Sequence, residues 1–140
     1  MRPVYQKEHD ELNKEDIIDM ICLHLKGDEL ERLGMFAPAD YAIYKKNKMT
    51  HLVQIKTRKA CSMDYPTYMI SATKWQEFTQ TASDKKCKTA LVIKWADKIG
   101  MLINGQPDFV AHGGRYDRGD PYDMESMAHF YIKQFEFLKY

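Results

Sequence analysis

The strongest chemical signal in this chain is an aspartate, Asp40, followed further on by a glutamine and a lysine one residue apart, Gln54-Ile55-Lys56. Side chains alternate faces along a strand, so Gln54 and Lys56 share one face while Val53 and Ile55 take the other. If the segment that starts at Asp40 pairs with the later one as a hairpin, four groups converge: a carboxylate, an amide oxygen, a backbone carbonyl and an ammonium. Such a set suits phosphodiester hydrolysis. Mg²⁺ takes hard oxygen ligands and shares phosphate oxygens, polarises the phosphate and lowers the pKa of a bound water. A neighbouring lysine holds or deprotonates that water, or neutralises charge that develops in the transition state. A further acid comes from an amphipathic helix expected over about 13–26. At about 100° per residue, Ile18, Ile21, Cys22 and Leu25 form one stripe. Glu15 lies at its edge, Asp19 somewhat outside it and Asp16 well outside.

The elements that must position these groups follow from cap signals and periodicity. Asn13 suits an N-cap, Glu15 and Asp16 suit a first turn, and Gly27 is a stop. Residues 28–38 form a connector. Residues 39–44 and 51–57 are rich in β formers, with Lys45-Lys46-Asn47-Lys48 as the hairpin loop between them. Pro66 forbids a central strand within 58–70. Thr73 with Gln76 fits a capping box that opens a second helix to about Ser83, with Trp75 and Phe78 on its buried face. Lys88–Trp95 is a continuous apolar strand, Ile99–Ile103 returns as another, and 107–111 forms a short edge strand. Residues 112–122 read as a loop, and Met124–Tyr140 as a helix with Met127, Phe130, Tyr131, Gln134 and Leu138 along one side. The order is α-β-β-α-β-β-(β)-α: one α/β (α+β) domain over 1–140, with its core in about 13–103.

Composition sets the bounds. The 140 residues are 44% hydrophobic, 12% aromatic and 29% charged, a globular composition with no disordered or collagen-like bias. The net charge is +1, so no global basic field advertises nucleic acid, and any DNA surface must come from local clusters. Three scattered cysteines, Cys22, Cys61 and Cys87, fit reduced thiols in a cytoplasmic protein rather than a disulfide framework or a zinc site. No apolar run is long enough to span a membrane, and Met1–Glu15 reads as neither a signal nor a transit peptide. The five histidines show no metal-ligand spacing, and no nucleophile elbow, phosphate-binding loop or dinucleotide fingerprint is present.

An acid on a first helix, then Pro-x-Asp, then a strand bearing Gln-x-Lys, then a helix and an apolar strand: this order resembles the PD-(D/E)XK nuclease superfamily, over about residues 14–103. The matching pieces are Glu15, Pro38-Ala39-Asp40 and Gln54-Ile55-Lys56. The resemblance implies a restriction-endonuclease-like central mixed β-sheet flanked by helices. It implies a Mg²⁺-dependent deoxyribonuclease, with Mn²⁺ as a substitute, that leaves a 5′-phosphate and a 3′-hydroxyl. Asp40 is then the main metal ligand, Gln54 binds the metal or its water beside the Ile55 carbonyl, Lys56 is the catalytic lysine, and Glu15 is a supporting or second-metal acid. Two departures stand out. Pro38 lies one residue further from Asp40 than in the eponymous pair, and Gln54 replaces the usual acid, which removes one negative charge. The Gln form also occurs in active branches, and the compact Glu–Asp–Gln–Lys order is similar to small intron-encoded homing or phage endonucleases. A Holliday-junction resolvase-like nuclease and a non-catalytic DNA- or protein-binding module are the alternatives.

Basic residues cluster where such a substrate needs them: Lys45, Lys46 and Lys48 on the hairpin loop, Arg58 and Lys59 after the motif, and Arg115 and Arg118 on the late loop. Lysine and arginine supply phosphate contacts without sequence information. The alternative for each cluster is an ordinary solvated loop. One active site per chain calls for a homodimer or homotetramer to cut both strands. The 112–140 region is a candidate for DNA contact or oligomerisation, and its aromatics are alternatively core.

Overall fold

Alternating burial on one side and helical periodicity on the other build a layered molecule. The computed structural model describes residues 12–114 and 124–139. Helix α1 (Lys14–His24) is capped by Asn13, whose side chain accepts from the Asp16 backbone N–H while Asp16 accepts from the Asn13 N–H. Strands β1 (Glu29–Arg32), β2 (Tyr41–Lys45), β3 (Lys48–Thr57), β4 (Thr67–Ser71), helix α2 (Ala72–Asp84), β5 (Lys88–Lys94), β6 (Ile99–Ile103), β7 (Phe109–Gly114), β8 (Met124–Tyr131) and β9 (Glu136–Phe137) follow in that order, with a 3-10 turn at Ile132–Gln134.

The main sheet has the order β1-β2-β3-β5-β6-β9, and a second sheet the order β4-β8-β7. Among the described residues β3 and β5 alone run parallel, joined by the β4–α2 crossover; the other pairings are antiparallel. The expected central mixed sheet flanked by helices is therefore present. Alternation along β3 and β5 splits the core in two. Val53, Ile55, Ala90 and Val92 pack with Ile17, Ile18 and Ile21 of α1. Leu52, Leu91 and Ile93 pack with Trp75 and Phe78 of α2 and with Tyr68, Ile70, Ala128 and Phe130 of the second sheet.

The structure departs from the sequence reading in several elements. Met124–Tyr140 is no helix: β8 fills the centre of the second sheet, with Ala128 and Phe130 inward and Met127, His129 and Tyr131 outward. Met127, Phe130 and Tyr131 have helical spacing, but Ala128 and Phe130 also stand two residues apart on one face, and two strand edges, β4 and β7, offer the backbone partners. Phe130 meets Trp75 at 4.8 Å and Phe135 meets Trp95 at 5.2 Å, both edge-to-face, so these rings are core. Residues 28–38 contain β1, a short edge strand with no apolar period to announce it. Helix α2 is capped by Ser71, the last residue of β4, rather than by Thr73. His112, expected in a loop, belongs to β7, while Arg115 and Arg118 lie outside the described residues. Pro66 stands just before β4, which is an edge strand and so spares the ladder. Gly27 follows α1 as expected, but the left-handed position is taken by Lys26, at φ 60. A side chain at 27 would collide with the buried Ile43.

Candidate active site

Strand β3 is longer than β2, and the site forms where it outruns its neighbour. The ladder between them ends with Tyr41 opposite Val53, extended by one bond from the Asp40 N–H to the Val53 carbonyl at 2.9 Å. Beyond that point no backbone of β2 reaches Ile55. The Asp40 carboxylate takes the vacant place: its Oδ2 accepts the Ile55 N–H at 2.8 Å. The N–H and C=O of a strand residue point to the same side, so the Ile55 carbonyl faces the same gap as Asp40.

Gln54 is buried, and its Nε2 donates to the Pro38 carbonyl at 3.4 Å. The chain before Asp40 and the chain before Lys56 thus hold each other. The Gln54 Oε1 is buried with no hydrogen-bond partner. A buried acceptor left unpaired costs about 1–3 kcal/mol, and reversing the amide would only orphan its nitrogen instead. An oxygen in that condition is suited to a cation.

Lys56 is half-buried, and its pKa is lowered. Burial is the largest cause; Asp40 opposes it, and the charges of Lys14, Lys74 and Arg58 reinforce it. Three elements thus bring cations to the residue that follows Ile55. Lys14, from the first turn of α1, lies 3.8 Å from the Asp40 Oδ2. Arg58 is pinned: it donates to the Tyr68 hydroxyl at 2.9 Å and to the Thr57 carbonyl at 3.0 Å, and its guanidinium lies 4.8 Å from the Tyr68 ring centre. Burial pushes the Tyr68 phenol up to about 12, against the opposing charge of Arg58. These groups stand at the carboxyl ends of the parallel pair β3 and β5, the end at which α/β sheets generally receive ligands.

Asp40, Gln54, Ile55 and Lys56 are therefore brought together, with Arg58 and Lys59 just beyond. Glu15 is exposed on α1; its charge, with those of Asp40 and Asp19, raises the pKa of Tyr41, where burial is the largest cause. The helical order expected around it is corrected, since Asp16 is buried by the capping box while Glu15 is not. Lys45, Lys46 and Lys48 sit at the other end of β2 from Asp40, roughly 17 Å away for five extended residues. Lys14, Lys74 and Tyr68 were not legible as site residues. Their only sequence signal is charge or aromaticity, and three separate elements deliver them. Among the described residues no group of three or more His, Cys, Asp or Glu side chains could hold a metal.

The sequence model of a family described as "Phage putative PDDEXK endonuclease" matches residues 1–138. Among solved structures the chain is similar to the Holliday junction resolvase Hjc of Archaeoglobus fulgidus, at 15% sequence identity over 64% of this chain and 74% of that one, with a TM-score of 0.48. No curated protein matches the chain.

Proposed function

The chain belongs to the phage PD-(D/E)XK endonuclease family, and from that premise we propose that it is a Mg²⁺-dependent DNA endonuclease of the homing or phage type, which leaves a 5′-phosphate and a 3′-hydroxyl. The observation that carries this reading is the junction of Asp40 with Gln54-Ile55-Lys56, made through the Asp40 carboxylate on the Ile55 N–H.

The residues fit a hard divalent cation. Asp40 offers one charged oxygen, Ile55 a carbonyl facing the same gap, and Gln54 a buried oxygen that lacks a partner; Glu15 would contribute from α1. When bound, Mg²⁺ or Mn²⁺ polarises the scissile phosphate and lowers the pKa of a bound water. The chain's own residues do the rest. Lys56, with its lowered pKa, accepts a proton from the attacking water at Nζ. Arg58, braced on Tyr68, and Lys14, Lys59 and Lys74 offset the phosphate charge. Lys45, Lys46 and Lys48 contact phosphates further along the duplex, and Arg115 and Arg118 are assigned to DNA on sequence grounds alone.

Each chain carries one site, so cutting two strands requires a homodimer or homotetramer. No helix among the described residues is long and apolar enough to cross a membrane. The protein acts on DNA in the cytoplasm, where its unpaired Cys22, Cys61 and Cys87 stay reduced.

The test is cleavage of supercoiled plasmid, linear duplex, single strand and a four-way junction, with Mg²⁺ or Mn²⁺ against EDTA, for wild type and Lys56→Ala. Metal-dependent cutting that the variant loses supports the reading, and preference for the junction converts it to a resolvase. A folded wild type that binds DNA, shows no metal-dependent stabilisation and cuts none of these would instead be a binding module.

A further inference from the structure

A cleft of about 920 Å³ opens beside Lys56 and is lined at its near end by Lys56, Arg58 and Lys74. The loop between β3 and β4 and the exposed face of β8 continue its walls, through Tyr65, Met127 and Glu125 among others. We propose that this cleft receives an unpaired nucleobase of the DNA strand being cut. The inference rests on the nuclease reading for the identity of the strand, and it adds a substrate preference: DNA with an unpaired nucleotide at the cut.

Four observations carry it. The volume is ample for one nucleotide and its sugar, within the roughly 300–1,000 Å³ of small-ligand pockets. The cleft starts at the lysine of the active site, so what enters it is attached to the attacked phosphate. Its charge is divided. Arg58 and Lys74 suit phosphate, but Glu125, the one carboxylate among the described lining residues, repels it. The Glu125 Oε2 is held by the Ser71 hydroxyl at 3.1 Å. A carboxylate at that place accepts from the amino group of a base. The apolar lining is also left open. Tyr65 is 67% exposed and Met69 41% exposed, and Tyr65 has no ring partner among the described residues. His129 on the same wall is instead fixed, stacked on Phe109 at 4.5 Å and bonded to the Thr67 hydroxyl at 2.8 Å. A free aromatic surface beside a cationic rim is how proteins hold unstacked bases. A paired base must leave its stack to enter, whereas a bulged, flapped or branched one has already done so.

The experiment compares a perfect duplex with the same duplex carrying one bulged 2-aminopurine, binding being measured in EDTA so that no step requires cutting. The bulged duplex is expected to bind roughly tenfold more tightly, and its 2-aminopurine to become protected from acrylamide quenching. Met127→Trp, which narrows the cleft with a bulky ring on its β8 wall, and Tyr65→Ala, at an exposed position, bring the two affinities together and remove the protection, with the melting temperature held near wild type. Equal affinities in the wild type, or a base as open to acrylamide there as in Met127→Trp, overturn the inference, as does failure to bind either DNA. Protection of the base without cutting in Mg²⁺ keeps the cleft assignment and removes the nuclease reading. Cutting without protection does the reverse.

Discussion

The two ends of β3 are built differently. At its start the strand is closed by a tight turn: Lys46 and Asn47 both take left-handed conformations, φ 52 and 64, as a two-residue hairpin turn of this hand requires. The Lys46 N–H finds the Asp28 carboxylate at 3.0 Å, and the Thr50 hydroxyl finds the Ile43 carbonyl at 3.2 Å. His51, next to that turn, is bonded to the Thr50 hydroxyl; burial, and then the charge of Lys88, lower its pKa. At the other end β2 is missing, and side chains must finish what the backbone does not. There Asp40 supplies the acceptor, Gln54 keeps an oxygen without a partner, and Lys56 is held half-buried among cations. A ladder completed by backbone contributes stability alone. A ladder completed by side chains leaves polar groups fixed in place with capacity to spare, and that is what a reaction needs.

The largest expected effect breaks the open end. Lys56→Ala lowers the cleavage rate roughly 10³-fold, and Asp40→Asn abolishes metal-dependent cleavage, while both keep a near-wild-type melting curve. Asparagine still offers an oxygen to the Ile55 N–H. Asp40→Ala does not, so it lowers stability as well, by about 1 kcal/mol in denaturant melts, since water reaches this partly exposed site. Equal stability of the two Asp40 variants would show that the carboxylate is not finishing the ladder.

Gln54 sharpens the contrast in opposite directions. Gln54→Glu restores a second negative charge and is expected to tighten Mn²⁺ binding in calorimetry. Gln54→Leu weakens that binding and changes folding stability by less than about 1 kcal/mol, because removal of the orphan oxygen offsets loss of the long Nε2 bond to the Pro38 carbonyl.

A subtler change is in pH dependence. Because the Lys56 pKa is lowered, the cleavage rate should rise with pH along a limb below the ordinary lysine value of 10.5. Lys74 is one cause of the lowering, so Lys74→Met should move that limb upward. A limb that moves down, or not at all, would remove Lys74 from the field of Lys56. The smallest effect belongs to the closed end. Lys46→Asn suits the left-handed turn and should raise stability by about 0.5 kcal/mol. If Lys46 meets a phosphate, the same change reduces the salt dependence of DNA binding by about one unit of slope.

Much of the layered fold was legible because its elements carry one dominant period. Ile17, Ile18 and Ile21 mark α1, the unbroken Ala90–Ile93 run marks a strand buried on both faces, and Trp75 with Phe78 marks the inner side of α2. The alternation of Val53, Gln54, Ile55 and Lys56 likewise puts Gln54 and Lys56 on one face. What escaped was either too short to have a period, as in β1, or had two. The segment from Met127 to Tyr131 satisfies helical and strand spacing together, and nothing local chooses between them.

The sequence by itself therefore determined which residues can pair and which faces they share, since periodicity and side-chain chemistry are local properties. Only the tertiary structure decided which end of β3 would be left open, that Lys14, Lys74 and Arg58 would gather around it, and that β8 would be a strand. Each of those outcomes depends on a partner outside the segment itself: the β4 and β7 edges for β8, and the early end of β2 for the ladder that Asp40 completes. Backbone hydrogen bonds in a sheet are made between segments, so no segment alone states where they stop.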